Sequence, residues 1–415
     1  MKKYNTIIIG GGASGMMAAY GASINNNKDI LLIEKNEKLG KKIYITGKGR
    51  CNVTNSCDTE DLFNNITTNS NFMYSSIYTH SNFDTMNFFE TQGIALKVER
   101  GNRVFPKSDK SSDIIKGLEK SLKNIEIKLN TNIQSIQKND NTFTIKSNHD
   151  VYYSEKVIIA TGGVSYPGTG STGDGYEFAK NLGHNIIKIK PSLCPVLLKD
   201  ENLERVIGLT VKNAKIKFIY KNKLINEEFG DFLFTHKGIS GPIILTLSDV
   251  LTDYDANDVE LYCNFKPSIP INELDNRLVS DFNNNSKKQL DNFISNYFPQ
   301  RLGEYLLLSS NINPKMKLHE INKQTREELI NMMTNYKFNY LGLDDIRNAV
   351  ITKGGVNTLE INPSTMESKL CEGLYFCGEI MDVSALTGGY NLQIAFSTGY
   401  LAGVNASFWL MLIKI

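Results

Sequence analysis

Apolar and polar positions recur with two different periods along this chain, and the changes of period predict its elements. Thr6-Ile7-Ile8-Ile9 is a short β-branched run that ends in glycine, and Met16, Met17, Ala18, Ala19, Gly21 and Ala22 follow at helical density. That order predicts strand, tight turn, helix. Ile30-Leu31-Leu32-Ile33 is a second apolar run, of the kind buried on both faces of a parallel sheet. Residues 58–95 carry helical signals with many Asn and Phe, and Ser111–Leu122 reads as an amphipathic helix with Asp113 in its first turn. Ile125–Leu129, Ile133–Ile136 and Phe143–Ile145 alternate as strands. Lys156–Ile159 is a further buried strand, and it runs into Ala160-Thr161-Gly162-Gly163.

From Pro191 the character changes. Gly and Pro punctuate short alternating runs such as Ile207–Val211, Ala214–Tyr220 and Glu260–Phe265, which predicts a small barrel or sandwich over 191–268. Residues 269–348 read as helical, with spacing for helices at Asn272–Phe282, Leu290–Phe298, Leu302–Leu308 and Thr325–Met333. The α/β pattern of residues 1–190 resumes over 349–415, where Leu374–Cys377 is a buried strand ending in Gly378-Glu379. The tail Phe408–Ile413 is very apolar, but Ser407, Asn405, Thr398 and Ser397 interrupt the run behind it. A span needs about 20 predominantly apolar residues. The tail therefore reads as part of a buried helix, without stable membrane insertion.

The first turn, Gly10-Gly11-Gly12-Ala13-Ser14-Gly15, is the strongest chemical signal. Gly10 permits the turn, Gly12 leaves room for a pyrophosphate at the backbone, and Gly15 lets helix and strand pack closely. The helix opening at Ala13 and Ser14 points its N–H groups and positive end at that phosphate. Glu34 closes the next strand, followed by Lys35. A carboxylate there accepts hydrogen bonds from both hydroxyls of a ribose and repels a 2′-phosphate. Leu39–Asn55 is rich in glycine, basic and small polar residues, a composition suited to a loop folded over a ligand. Arg50 in that loop could pair with a phosphate or an anionic ring, or lie on a plain polar loop. Gly168–Gly173 spells the glycine pattern again, but it follows no strand directly and no acidic strand end comes after it. It is not read as a second nucleotide site.

Charge and cysteine usage narrow the partners. Lys+Arg 46 stand against Asp+Glu 44, with no basic stripe, so nucleic acid is not the expected partner. Cys51, Cys57, Cys194, Cys263, Cys371 and Cys377 form no CxxC pair, which argues against a dithiol centre or a zinc ribbon and suits reduced, cytoplasmic thiols. No metal site is expected. The glycine turn interrupts the apolar stretch after Met1-Lys2-Lys3, so a signal peptide is not read there.

Gly49-Arg50-Cys51-Asn52-Val53-Thr54-Asn55 resembles the signature of the bacterial BaiN/YhiN-like flavoproteins. Val98–Pro106, Phe234–Pro242 and Thr387-Gly388-Gly389-Tyr390-Asn391-Leu392-Gln393 are similar to further segments of that family. The resemblance spans nearly the whole chain. One departure is the mostly apolar Val383–Leu386, where the family has an acidic or glycine-rich stretch. The resemblance implies an α/β, two-dinucleotide-binding-domain-type FAD fold with an inserted β-barrel-like and helical domain. It implies FAD contacts at Gly49, Arg50, Cys51 and Asn52, and at Ala160, Thr161 and Gly162. It also implies adenine contact at the Ile133 backbone, ribitol contact at Glu379 beside Gly378 with Asp382 one turn on, and a helix start from Gly388 and Gly389 through Tyr390, Asn391 and Leu392 at the flavin. Arg103 belongs either to the ligand cleft or to a surface hairpin. His236 either faces substrate or is a structural turn residue.

The implied activity is that of an FAD-dependent oxidoreductase. Hydride transfer at flavin N5 would serve NAD(P)H-linked reduction of a small organic acceptor or oxidation of a small organic substrate. NADH or NADPH would dock transiently, because no second dinucleotide site is visible. The alternatives are a flavin-dependent tRNA-modifying enzyme and a non-enzymatic flavin redox sensor. Catalytic residues and oligomeric state are not legible in the sequence.

Overall fold

The computed structural model describes residues 3–24 and 29–407. Its chain forms two compact units, one of residues 1–190 with 346–415 and one of residues 191–345.

The first unit is built on a parallel sheet. Its strands lie in the order Glu126–Lys128, Ile30–Ile33, Lys3–Ile9, Val151–Ile159, Leu374–Phe376. Ile30–Ile33 is buried throughout, as expected of a parallel strand covered on both faces. The first half of Val151–Ile159 also pairs antiparallel, along its other edge, with Thr142–Ser147, which in turn pairs with Ile133–Asn139. Helix Ala13–Ser23 packs against the last helix, Tyr390–Ser407, almost backbone to backbone. A Cβ placed on Gly399 would lie 2.3 Å from the Ser14 carbonyl oxygen, and one on Gly403 2.1 Å from that of Ala18. Both helices have little amphipathic pattern because both are buried around most of their circumference. The apolar tail Phe408–Ile413 lies outside the described residues.

Two local expectations change. The segment read as a loop contains a short helix, Lys41–Ile45, started by Gly40 in the left-handed region, and a 3-10 turn, Thr46–Gly49. Their apolar spacing is too short to show a helical period. Ile66–Thr68, inside the stretch read as helical, is a strand whose partner, Ser384–Ala385, is remote in sequence.

In the second unit seven strands form one antiparallel sheet in the order Tyr336–Phe338, Val259–Asn264, Thr210–Tyr220, Lys223–Phe234, Gly238–Ser240, Val196–Leu198, Tyr340–Leu343. The two end strands are consecutive in the chain with only Asn339 between them, so the sheet curls back on itself in a barrel-like form. These end strands fall within the segment read as wholly helical; they exist through partners far away in sequence. Helices Ile271–Asn284, Leu290–Ile294, Gln300–Ser309 and Lys323–Thr334 occupy the predicted positions. Pro242–Leu251 is an additional helix. Strands and helices share one core, in which Phe218, Phe234, Leu278, Tyr305 and Met333 are fully buried.

No helix among the described residues is long and apolar enough to cross a membrane. No metal-binding group of His, Cys, Asp or Glu occurs among them.

Candidate functional site

Strand register brings the candidate residues into one row. Ile9 pairs with Ile33 and with Ile159, and Ile159 pairs with Phe376. The next residue on each strand is Gly10, Glu34, Ala160 and Cys377, so all four stand side by side at the carboxyl edge of the sheet. Open α/β sheets bind their ligands at that edge.

The Gly11 N–H donates to Glu34 Oε2 at 2.7 Å, and the Asn36 N–H and amide donate to Oε1 at 2.9 and 2.7 Å. Glu34 is therefore locked beside the glycine turn and is only 8% exposed. A carboxylate has about four lone-pair sites, and three are taken, so Oε2 keeps capacity for one ribose hydroxyl. A Cβ on Gly15 would lie 1.8 Å from the Gly10 carbonyl oxygen, which is the close helix–strand packing the motif needs. A Cβ on Gly12 would meet nothing within 4 Å. The space above Gly12 is open, as phosphate approach requires. Ala13 and Ser14 open the helix at that point.

The Thr131 N–H donates to the Glu34 carbonyl and the Asn130 N–H to that of Asn36, so Ile133 is carried toward the Glu34 end of the row. Lys35 contacts the Thr172 hydroxyl and pairs with Asp174 at 2.7 Å. Asp174 and Glu177 occupy the first turn of the helix that follows Gly168–Gly173. Two acids at a helix N-terminus disfavour a phosphate there.

At the other end of the row Glu379 gathers three donors. They are the Lys42 ammonium at 2.9 Å, the Thr352 N–H at 2.9 Å and the Ser165 hydroxyl at 3.1 Å. Burial works to raise its pKa, but the Lys42 charge and these hydrogen bonds hold the carboxyl below its ordinary value. Lys42, Ser165 and Thr352 gave no signal in the sequence; Lys42 is 337 positions from Glu379. The Gly378 N–H donates to the Thr398 hydroxyl, and Asp382 accepts from the Asn69 amide at 3.1 Å.

Cys51 and Cys377 are fully buried, and burial pushes both thiols up to about 12. Asn52 Oδ1 and Thr161 Oγ1, next to these cysteines and to Gly162, are buried without a hydrogen-bond partner among the described residues. Gly49 precedes Arg50, whose guanidinium bonds Glu99, pairs with Asp109 at 2.7 Å and lies 4.2 Å from the centre of the Phe105 ring. Arg50 is thus already ion-paired. Arg103 is exposed on a hairpin, where its Nε–H donates to the Arg100 carbonyl, and His236 is exposed in a turn.

The first intrahelical bond of the last helix runs from the Gln393 N–H to the Gly389 carbonyl, so the N–H groups of Tyr390, Asn391 and Leu392 precede it. The Asn391 side chain staples the preceding loop through the Ala385 N–H and carbonyl. The Gly388 carbonyl accepts from the Asn55 amide. A Cβ on Gly389 would lie 2.4 Å from the Thr54 carbonyl, so glycine is required there by packing, whatever approaches the helix.

An open cradle over Gly12, an acid fixed at the ribose position and two orphaned buried acceptors fit an extended dinucleotide along this row. The sequence profile of the HI0933-like protein Rossmann domain matches residues 4–405. The chain belongs to this family. As an HI0933-like protein it is an FAD-dependent oxidoreductase. The 3-dehydro-bile acid delta(4,6)-reductase of Clostridium scindens is 29% identical to it over 96% of this chain and 98% of its own. The ribosomal RNA dihydrouridine synthase of Escherichia coli is 31% identical over 96% of this chain and 97% of its own. The solved 3-ketosteroid delta1-dehydrogenase of Sterolibacterium denitrificans superposes with a TM-score of 0.52 at 14% identity, covering 98% of this chain and 100% of that one; it shows the fold.

Proposed function

We propose that this HI0933-like protein reduces a carbon–carbon double bond conjugated to a carbonyl, and that its substrate is a uridine in ribosomal RNA. The observation that carries the reading is 31% identity, over almost the full length of both chains, to a ribosomal RNA dihydrouridine synthase. The bile acid reductase relative supports the same bond chemistry. A delta(4) double bond beside a 3-oxo group and the 5,6 double bond of uracil are both conjugated to a carbonyl. Reduction adds a hydride at the β carbon and a proton at the α carbon, and the donor, NADH or NADPH, is oxidised.

FAD, when bound, supplies hydride transfer at N5. The chain's own residues position it. The open cradle at Gly12 and the N–H groups at Ala13 and Ser14 would take the pyrophosphate. Glu34 would take the adenosine ribose, and Glu379, held ionised by Lys42, the ribitol hydroxyls. Asn52 Oδ1 and Thr161 Oγ1 are buried acceptors that the cofactor would satisfy.

The test is anaerobic turnover of the flavin-loaded protein with NADH or NADPH and ribosomal RNA lacking dihydrouridine, read by mass spectrometry of the digested RNA. Dihydrouridine formation is expected. A second reading, favoured by the Clostridium scindens relative, is the same reduction on a small cyclic enone. It would win if such an enone is reduced and RNA is not. Reduction of neither, by protein whose flavin NAD(P)H does reduce, would overturn the proposed chemistry.

A further inference from the structure

Overall charge is nearly balanced, but one face of the first unit is not. The three-stranded sheet of Thr54–Asn55, Arg103–Pro106 and Leu96–Glu99 lies beside the 46–52 turn: Arg50 reaches across to Glu99 and Asp109 and covers the Phe105 ring. Glu99 on the sheet and Asp109 in the turn after it are neutralised by Arg50 and Lys97. Lys48, Arg100, Arg103, Lys107 and Lys110 remain around it, all exposed and none in a salt bridge among the described residues. A strand rises about 3.3 Å per residue, so Arg103 and Lys107 stand about 13 Å apart.

An aromatic residue adjoins these cations. Tyr44 is 51% exposed, and its carbonyl accepts from the Ser111 hydroxyl, the residue after Lys110. The Lys38 ammonium sits 5.2 Å from the centre of its ring. Unpaired cations with an exposed aromatic ring are the elements of single-stranded nucleic-acid binding, in which phosphates meet charge and a base stacks on the ring. Lys48 and Arg50 are also followed in the chain by Cys51 and Asn52, which the family resemblance assigns to the cofactor.

We propose that this face is the RNA-docking surface, with Lys48, Arg100, Arg103, Lys107 and Lys110 on phosphates and Tyr44 stacked on a base. The proposal rests on the RNA reading above and adds the surface that reading lacks. Its partner is an RNA strand by charge complementarity: the patch offers cations to a polyanion.

Binding of a fluorescein-labelled 20-nucleotide oligouridylate to the full-length, flavin-loaded protein tests it by anisotropy across a salt series. Arg100→Glu/Lys107→Glu/Lys110→Glu is compared with Lys212→Glu/Lys223→Glu/Lys287→Glu, an equal charge change at exposed lysines of the other unit. The patch variant is expected to bind at least tenfold more weakly, and its log–log salt slope to be shallower by about 2, at about 0.7 for each single-strand phosphate that the protein no longer neutralises. The control variant should stay within twofold of wild type. Tyr44→Ala should weaken binding and leave the salt slope unchanged, as loss of stacking predicts. Equal binding by patch and control variants would overturn the proposal. So would failure of the wild-type protein to bind, or retention by anionic phospholipid vesicles but not by RNA. Dihydrouridine formation is measured with the same variants, given NADH or NADPH and ribosomal RNA lacking dihydrouridine. Product formed equally by wild type and patch variant removes the docking surface and leaves the reaction standing; patch-dependent binding without product does the reverse.

Discussion

At the scale of single residues, environment decides which conspicuous side chains can do chemistry. Cys51 and Cys377 stand in cofactor motifs, yet both are fully buried with thiols pushed up to about 12. A thiol at that pKa holds almost no thiolate at neutral pH and is no nucleophile. Native protein is therefore expected to resist iodoacetamide at these two positions, and Cys51→Ala/Cys377→Ala should keep substantial flavin reduction by its donor. Complete loss of reduction with FAD still bound would show that a cysteine takes part. Glu34 makes a second case. Its carboxylate already accepts from Gly11 and Asn36, and Glu34→Gln keeps one acceptor oxygen while removing the charge. FAD affinity should fall by about 1–3 kcal/mol, the worth of hydrogen bonds to a charged acceptor. An unchanged Kd by fluorescence titration would remove Glu34 from the ribose site. Glu34 was legible in the sequence because a strand end and a glycine turn lie close together in the chain. Lys42 was not, because its partner Glu379 comes from the far end and only the sheet joins them.

At the scale of elements, the last helix does more than cover the sheet. Gln393 and Ser397 both donate to the His80 carbonyl, and Tyr400 stacks on the His80 ring at 4.7 Å. His80 is buried, its Nε2 has no partner among the described residues, and burial lowers its pKa from 6.5 to about 4. Between those values the unfolded chain binds a proton that the folded one refuses. Stability should therefore be fully present above pH 6.5 and fall as pH drops toward 4. His80→Phe keeps a ring against Tyr400 and cannot take the proton, so its urea midpoint should lose less than that of wild type between pH 7 and pH 5. His184, also lowered by burial, contributes its own slope to both proteins, and the difference between them isolates His80. Equal losses would mean that His80 does not control this window. Elements with local periodicity were readable in advance, as helices Ser111–Ser121 and Lys323–Thr334 show. Ile66–Thr68 and Tyr336–Phe338 were not, since each is a strand only through a partner remote in sequence.

At the scale of the whole molecule, the chain interrupts one unit to build another. Strands Ile186–Ser192 and Ile351–Val356, which lead out of the first unit and back into it, pair with each other, so the insertion leaves and returns at neighbouring points. Each unit has its own apolar core, and every residue assigned to FAD lies in the first. Closing a short flexible loop costs little, since each doubling of loop length changes the cost by about 0.6 kcal/mol. Replacing residues 191–345 with a Gly-Ser linker is therefore expected to leave a folded unit that binds FAD, shown by a flavin absorbance spectrum that survives gel filtration. A deletion variant that folds by circular dichroism but retains no flavin would show that residues of the second unit are needed to hold the cofactor, and the assignment of the whole FAD site to the first unit would be withdrawn.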